Sequence, residues 1–467
     1  MTRTVNAAGR LDRLPVSRFH WKILGLIAGG AFLDAFDLYL ANGALASMVK
    51  EGFTDLAHGA MFVSSTFIGM MIGAFAAGYV GDRLGRRYSY QLNLAIFGVA
   101  SLAAGFAPGI DWLIALRLVM GIGLGAELVV AAGTLAEFVP PATRGKWVSL
   151  LAVITNSGLF AALAAGYWII PHLGWRYMFA LAGVGALVVW FLRKRMPESP
   201  RWLESVGRLD EAEATLAAIE AEVRARHGAL PPVTRTVSLQ TGRVPLARLF
   251  APAMRGRTLV AALTAIGVNV GLYGFVAWLP TFFVAEGLSV VKSLGFVFLM
   301  SIGSPVGGLI GYAVADRWGR ARGIVIASLV TIALGWLYVT LRDATAIVVV
   351  GVGLVSALYT ITTLGLFGYI PELFPTEVRL RGTGVAGTCG RASSIATPYL
   401  ALLLYQRFGV SGVISMVSLV LAVLCVAIAV LRVETSRHAL EDIAPGDGGG
   451  PVVEPDEADA AETVAEH

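Results

Sequence analysis

Charge is what this sequence has least of. Asp, Glu, Lys and Arg together make up 14% of its 467 residues, 56% of the chain is hydrophobic, and mean hydropathy is +0.73. A soluble fold of this size could not cover that much apolar surface with so few charges. Cysteine is nearly missing. Cys389 and Cys425 both fall in apolar runs, which argues against a disulfide framework or a thiolate metal site. Histidine is also sparse: there are six, none deep in an apolar run and none at metal-ligand spacing. The Gly-rich loop with Lys that cradles phosphates does not occur. These shortages argue against a membrane enzyme, and neither a metal nor a cofactor is expected.

What the chain has instead is apolar runs of roughly 19–25 residues, the length a helix needs to cross about 30 Å of hydrocarbon. Twelve are predicted, at 21–44, 58–80, 88–107, 112–136, 147–170, 176–194, 258–283, 293–315, 323–341, 346–370, 381–405 and 409–431. The 55 glycines suit close helix packing in lipid. Residues 1–20 are basic and polar, and the first run is too long for the apolar core of a cleavable signal. With an even number of spans both ends lie on one side. That side collects 29 of the 36 Lys and Arg, and Arg117 and Arg391 fall inside spans. Both termini are therefore expected in the cytoplasm, with the chain in the plasma (inner) membrane. The basic pI of about 9.2 records this asymmetry and points to lipid rather than nucleic acid.

The chain also repeats itself. "GYVGDRLGRR" at 78–87 returns as "YAVADRWGRA" at 312–321, placing Asp82 and Asp316 234 residues apart. "AEFVPPATRG" at 136–145 returns as "PELFPTEVRL" at 371–380, and "PESPR" at 197–201 as "VETSR" at 433–437. Three matches at nearly one offset indicate a duplicated six-span unit. The expected architecture is an all-α membrane protein of twelve transmembrane helices in two pseudo-symmetric six-helix bundles. Its divisions are a cytoplasmic segment 1–20, a bundle 21–194, a linker 195–257, a second bundle 258–432 and an acidic, disordered tail 433–467. Within the linker, 209–228 reads as an amphipathic surface helix closed by Gly228 and Pro231. In transporters built from repeats, the binding site lies between the halves near the bilayer midplane.

Together these motifs resemble the major facilitator superfamily of secondary transporters over roughly residues 20–437. "GYVGDRLGRR" fits its loop motif between spans 2 and 3, and "RLVMGIGLG" (117–125) fits its span 4 motif. "PESPRWL" (197–203) and "PELFPTEVRLRGTG" (371–384) resemble the branch that holds sugar porters, aromatic-acid–proton symporters and niacin-type carriers. "LDAFD" keeps the Asp-x-x-Asp spacing of the aromatic-acid and phosphate symporters. "GLYGFVAWLPTFF" (271–283) and "GRASSIATPYL" (390–400) look like spans 7 and 11 of acid and niacin carriers. The sequence departs from these patterns at Ala35, Ala126, Tyr312 and Ala321. The resemblance implies alternating access by a monomer, with an organic acid preferred over the alternative, a sugar or polyol.

Five charges fall well inside spans: Asp34, Asp37, Arg117, Glu127 and Arg391. Each costs roughly 2.5–3.5 kcal/mol near a helix centre on insertion scales, so each calls for a use. Asp34 and Asp37 sit three residues apart, leaving ~60° of arc between them on one helix face. Two carboxylates so close resist ionising together, which suits a proton carrier. Shifting by 234 residues finds no counterpart for any of them: Asp37 maps to Gly271, and Arg391 maps to Ser157. The acids thus belong to one half and a lone cation to the other. The expectation is that Asp34, Asp37 and Glu127 handle the proton with Arg117 tuning them. Arg391 would bind a substrate anion, with Asn269, Tyr273 and Trp278 reading the rest of the ligand. Asp82, Arg83, Arg86, Arg87, Glu137 and Arg144, with Asp316, Arg317, Glu372 and Arg379 in the second half, are expected to form a cytoplasmic gate.

Overall fold

The computed structural model describes residues 5–140, 143–233, 246–315, 319–374 and 378–431, and among them there is helix but no strand. In the first half, α1 (Ala7–Asp12) precedes six long helices: α2 (Arg18–Lys50), α3 (Leu56–Leu84), α4 (Arg86–Ala104), α5 (Ile110–Phe138), α6 (Arg144–Leu173) and α7 (Arg176–Arg193). Two further helices follow in the linker, α8 (Pro200–Ser205) and α9 (Leu209–His227). The second half opens with α10 (Pro252–Val270), which continues through a π-helical turn (Gly271–Phe275) and a 3-10 turn (Val276–Trp278) into α11 (Leu279–Ala285). Then come α12 (Val290–Ser301), α13 (Gly303–Ala315), α14 (Arg320–Thr340), α15 (Ala344–Thr362), a π segment (Thr363–Tyr369) with α16 (Ile370–Glu372), α17 (Arg379–Phe408) and α18 (Val410–Leu431).

Among the described residues nine helical stretches are long and apolar enough to span a bilayer. α4, α5 and α17 complete the two sets of six, and α5 and α17 are the two that carry Arg117, Glu127 and Arg391. The duplication seen in the sequence is repeated in the packing. In the first half α2 packs on α5, α6 and α7, α3 on α5, and α4 on α5 and α7. In the second, α10 packs on α17 and α18, α13 on α15, and α14 on α15 and α18, the same neighbours one repeat later. The halves meet along α3 with α17, along α6 with α12 and α13, and along α2 with α11.

Small residues set the closest crossings. Where α3 passes α5, a Cβ on Gly121 would run into the Thr66 carbonyl and lie 3.0 Å from Gly69 Cα, and Gly125 faces Met70 in the same way. Such contact between backbones is available only without side chains. Gly121→Val is therefore expected to separate α3 from α5 and abolish recovery of monodisperse protein in size-exclusion chromatography. Gly387→Ala, on α17 with nothing within 4 Å of the added carbon, leaves the elution profile unchanged.

The linker is more than a tether. α9, with its C-cap at Gly228, buries Ala212, Leu216, Ile219 and Val223 in a core shared with α1, α2, α5 and α6. Glu204 accepts the backbone N–H groups of Val5, Asn6 and Ala7 at 2.8–2.9 Å. Glu220 is held by Arg10 at 2.9 Å and Arg13 at 2.7 Å. Burial pushes the Glu220 carboxyl up, but those two guanidinium partners win and hold it below the usual glutamate range. The tail 433–467, expected to be disordered, lies outside the described residues.

Candidate transport site

The buried charges of the first half converge from three helices, α2, α5 and α7. Asp37 on α2 pairs with Arg117 on α5, Nη1 donating to Oδ2, and both side chains are almost wholly buried. The Arg117 guanidinium also lies 5.3 Å from the centre of the Phe62 ring. A second pair sits nearer the termini. Glu127 on α5 meets Arg193 on α7 at 2.5 Å, each only 1% exposed. Arg193 donates further hydrogen bonds to the carbonyls of Leu26 at 2.7 Å and Ile27 at 2.9 Å, and lies over the Tyr90 ring at 4.6 Å. A side chain at Gly30 would occupy the space of this guanidinium and of the Glu127 carboxylate, so Gly30 makes room for the ion pair.

Asp34 lies between the two pairs. It is 1% exposed, and its Oδ2 has no hydrogen-bond partner among the described residues. Glu127, Arg193 and Asp37 are the charged groups that act on it. The first half thus holds three carboxylates and two guanidinium groups, both of them committed.

The cation of the second half is differently placed. Arg391 on α17 has no ion-pair partner among the described residues, and its electrostatic neighbour is Tyr273 in the π turn. Tyr273 packs across the seam on Phe67, ring centres 4.5 Å apart, and stacks on Tyr39 at 6.4 Å. Tyr39 and Tyr359 share a hydroxyl–hydroxyl hydrogen bond of 2.9 Å that joins α2 to α15. Ser64 donates to the Ile395 carbonyl at 2.9 Å, one helical turn beyond Arg391. The π turn matters here. It lies at the position equivalent to Asp37, so one half carries an acid where the other distorts its helix, as π turns at functional sites often do.

The other predicted ligand contacts are placed differently. Asn269 donates to Ala265 O at 2.7 Å and accepts from Ser394 Oγ at 2.8 Å, tying α10 to α17 three residues from Arg391. Its amide is thus engaged in fixing the helix that carries the guanidinium. Trp278 is buried against Phe282, at the junction of the 3-10 turn and α11. Four residues escaped the reading of the sequence: Arg193, Tyr39, Tyr359 and Phe67. From the sequence Arg193 reads with the cytoplasmic cations, because Lys194 and Arg195 follow it.

At the edge nearest the termini, each half closes its own pair. Arg86 meets Glu137 at 3.3 Å, and Arg320 pairs with Glu372. The "PESPR" stretch explains itself in this region. Glu198 accepts the backbone N–H of Arg86 at 2.9 Å and of Arg87 at 3.1 Å, capping the start of α4. Arg87 reaches the Lys194 carbonyl at 2.8 Å. Arg201 donates to Glu137 O at 2.9 Å and pairs with Asp12 at 2.5 Å. Burial pushes the Glu198 carboxyl up, against the pull of the N–H groups of Ser199, Arg87 and Arg86. The side chains of Asp82, Arg83, Arg144 and Arg379, and all of Asp316 and Arg317, lie outside what is described.

Two six-helix repeats, with buried ion pairs inside the first and Arg391 of the second beside the seam, define a multi-pass membrane transporter of small molecules. The chain belongs to the Major Facilitator Superfamily, which it matches over residues 27–368 and 299–458. It is 35% identical to the inner membrane metabolite transport protein YdjE of Escherichia coli, over 93% of this chain and 97% of that one. It is 30% identical to the niacin transporter NiaP of Acinetobacter baylyi, over 94% and 100%. Among solved structures, the xylose transporter XylE from Escherichia coli shares the fold with a TM-score of 0.71 at 20% identity, over 90% of this chain and 99% of that one. The relatives and the fold are those of transporters rather than enzymes.

Proposed function

We propose that this transporter imports a small organic monoanion, of the aromatic carboxylate class, together with protons. The observation that carries this reading is Arg391, a guanidinium at the seam of the halves with no acidic partner among the described residues. A half-buried cation without a counter-charge is costly, and a planar carboxylate that completes its fork offsets that cost. Tyr273, Tyr39, Tyr359 and Phe67 supply flat apolar surface and hydroxyls beside it, which suits an aromatic ring. The niacin transporter among the relatives carries an aromatic acid of this kind. The carboxylates of the first half take up the proton, and the loaded carrier rocks about the seam as a monomer, with both termini in the cytoplasm. Residues 21–194 and 258–432 are the two moving bundles, and 195–257 couples them. The pairs Arg86–Glu137 and Arg320–Glu372, with the loop residues around them, serve as the cytoplasmic gate.

Proteoliposomes with an imposed pH gradient test this directly. Radiolabelled nicotinate or benzoate is expected to accumulate inside when the lumen is alkaline, and a protonophore should abolish the accumulation. Accumulation of xylose or a polyol, with no uptake of either acid, would replace this reading with the sugar-porter one.

A further inference from the structure

The first two turns of α2 have two unlike faces. Phe19, His20, Ile23 and Leu24 turn inward and are buried. Arg18, Trp21, Lys22 and Gly25 are exposed, and their spacing places them in one stripe along the helix. Gly25 leaves the backbone bare there, with nothing within 4 Å of where a side chain would begin. α6 runs beside α2 in the same direction, since Trp147 meets Trp21 and, further along, Gly158 meets Ala35 and Phe36. It opens in the same way. Lys146 is exposed, Leu150 is half-buried and Val153 is 59% exposed, again at helical spacing.

The two stripes are joined at their heads. The Trp21 and Trp147 rings meet edge-on with centres 4.9 Å apart, and Trp147 also packs near His20 at 6.2 Å. These tryptophans are the first residues of two apolar runs, 21–44 and 147–170. Their contact therefore marks the depth at which water gives way to hydrocarbon, where tryptophan is favoured. Lys22 and Lys146 flank it, and Arg18 lies one turn nearer the water.

The cations here differ from their neighbours on the same edge. Arg10, Arg13, Arg86 and Arg201 each hold a carboxylate, which engages Glu213, Glu220, Glu137 and Asp12. Arg18, Lys22 and Lys146 have no acidic partner among the described residues. Three positive charges thus converge at an aromatic contact on the lipid boundary, above a surface that turns apolar below them.

We propose that this cleft between α2 and α6 binds one anionic phospholipid, drawn from the leaflet on the side of the chain termini. Its phosphate sits among Arg18, Lys22 and Lys146, its glycerol lies against Trp21, and an acyl chain follows the bare backbone at Gly25 and the exposed Val153. The order of chemistry along the stripe, cation, then tryptophan, then apolar surface, is the order along a phospholipid. A soluble phosphate would meet the cations and leave the rest uncovered. Basic pockets between membrane helices recognise lipid headgroups in this way, each cation near an anionic surface contributing roughly a fivefold gain in affinity. The proposal does not depend on which solute the protein carries.

The test is titration of the delipidated full-length protein, in neutral detergent, with dioleoylphosphatidylglycerol, dioleoylphosphatidylcholine or inorganic phosphate. Native mass spectrometry reads binding, and thermal denaturation reads the stabilisation that a ligand of the folded state confers. The first phosphatidylglycerol is expected to bind at least tenfold more tightly than the first phosphatidylcholine and to raise the melting temperature. Phosphate at the same concentration does neither. Arg18→Gln/Lys22→Gln/Lys146→Gln should weaken phosphatidylglycerol binding by roughly 100-fold, three factors of about five, and leave phosphatidylcholine within twofold. Arg195→Gln/Arg226→Gln/Arg322→Gln removes the same charge from exposed positions elsewhere and should keep phosphatidylglycerol affinity within threefold. Equal losses in the two triple variants would reveal diffuse attraction to a basic surface and overturn the site. Equal affinity of the wild type for the two lipids overturns it without any variant. Phosphate binding as tightly as phosphatidylglycerol would overturn the lipid as its occupant.

Discussion

Arg391→Ala is expected to abolish accumulation of organic acid and to raise KM for exchange by roughly 30- to 4,000-fold. That range corresponds to about 2–5 kcal/mol, the usual loss when one partner of a buried charge pair is truncated. The size of the effect follows from what surrounds the guanidinium. Asn269 and Ser394 fix α17 in register, Tyr273 covers one side, and among the described residues no acid competes for the fork. The ligand carboxylate is then the only strong partner the cation has, and removing the cation removes it entirely. Arg391→Lys should keep the charge and lose the planar two-point contact, so KM rises about tenfold while counterflow survives. Both are checked with labelled nicotinate, using retained monodispersity on size-exclusion chromatography as the folding control. An unchanged KM in Arg391→Ala would remove this residue from the site and with it the reason for preferring an anion.

Much of this architecture is legible in the sequence because hydrocarbon is an uncompromising solvent. Each crossing needs its own apolar run, and a duplicated half leaves duplicated loops. Asp34, Asp37, Arg117, Glu127 and Arg391 stand out for the same reason, since a charge in such a run is rare. What the sequence hides is partnership. Arg193 closes an apolar run just before Lys194 and Arg195, where a cation ordinarily meets lipid headgroups or water. Only the convergence of α2, α4, α5 and α7 buries it. The one local sign was the Gly29–Gly30 pair, which reads equally well as simple close packing. The hydroxyl bond between Tyr39 and Tyr359 spans 320 positions of sequence and two different repeats, so no periodicity could suggest it. The linker segment 209–228 reads from its sequence as an amphipathic surface helix, with no partner indicated for its charges. Glu213 and Glu220 are answered by Arg10 and Arg13 from the other end of the first half, and that match is visible only once both segments are folded onto the same surface.

The second large effect concerns Asp37 and Arg117, and here stability and coupling can be separated. Arg117→Met should leave Asp37 as a buried anion without its counter-charge, a loss of about 3–5 kcal/mol. A drop in melting temperature of roughly 6–10 °C, or failure to yield folded protein, is expected. Asp37→Asn does the reverse and leaves Arg117 a buried cation without its acid. Accumulation should then vanish, because a buried guanidinium without its counter-charge must either be stranded or draw on another partner in every state of the cycle. Removing both members with apolar groups of similar bulk, Asp37→Leu/Arg117→Met, strands no charge. Such replacements of buried pairs are often neutral or stabilising. The double variant is expected to regain most of the wild-type melting temperature and to accumulate nicotinate again, at reduced rate, since Asp34 and Glu127 remain to take the proton. Differential scanning fluorimetry in detergent and the accumulation assay read the two properties independently. Recovered stability with accumulation still abolished would show that Asp37 and Arg117 exchange partners during the cycle, and would move the proton from Asp34 to that pair.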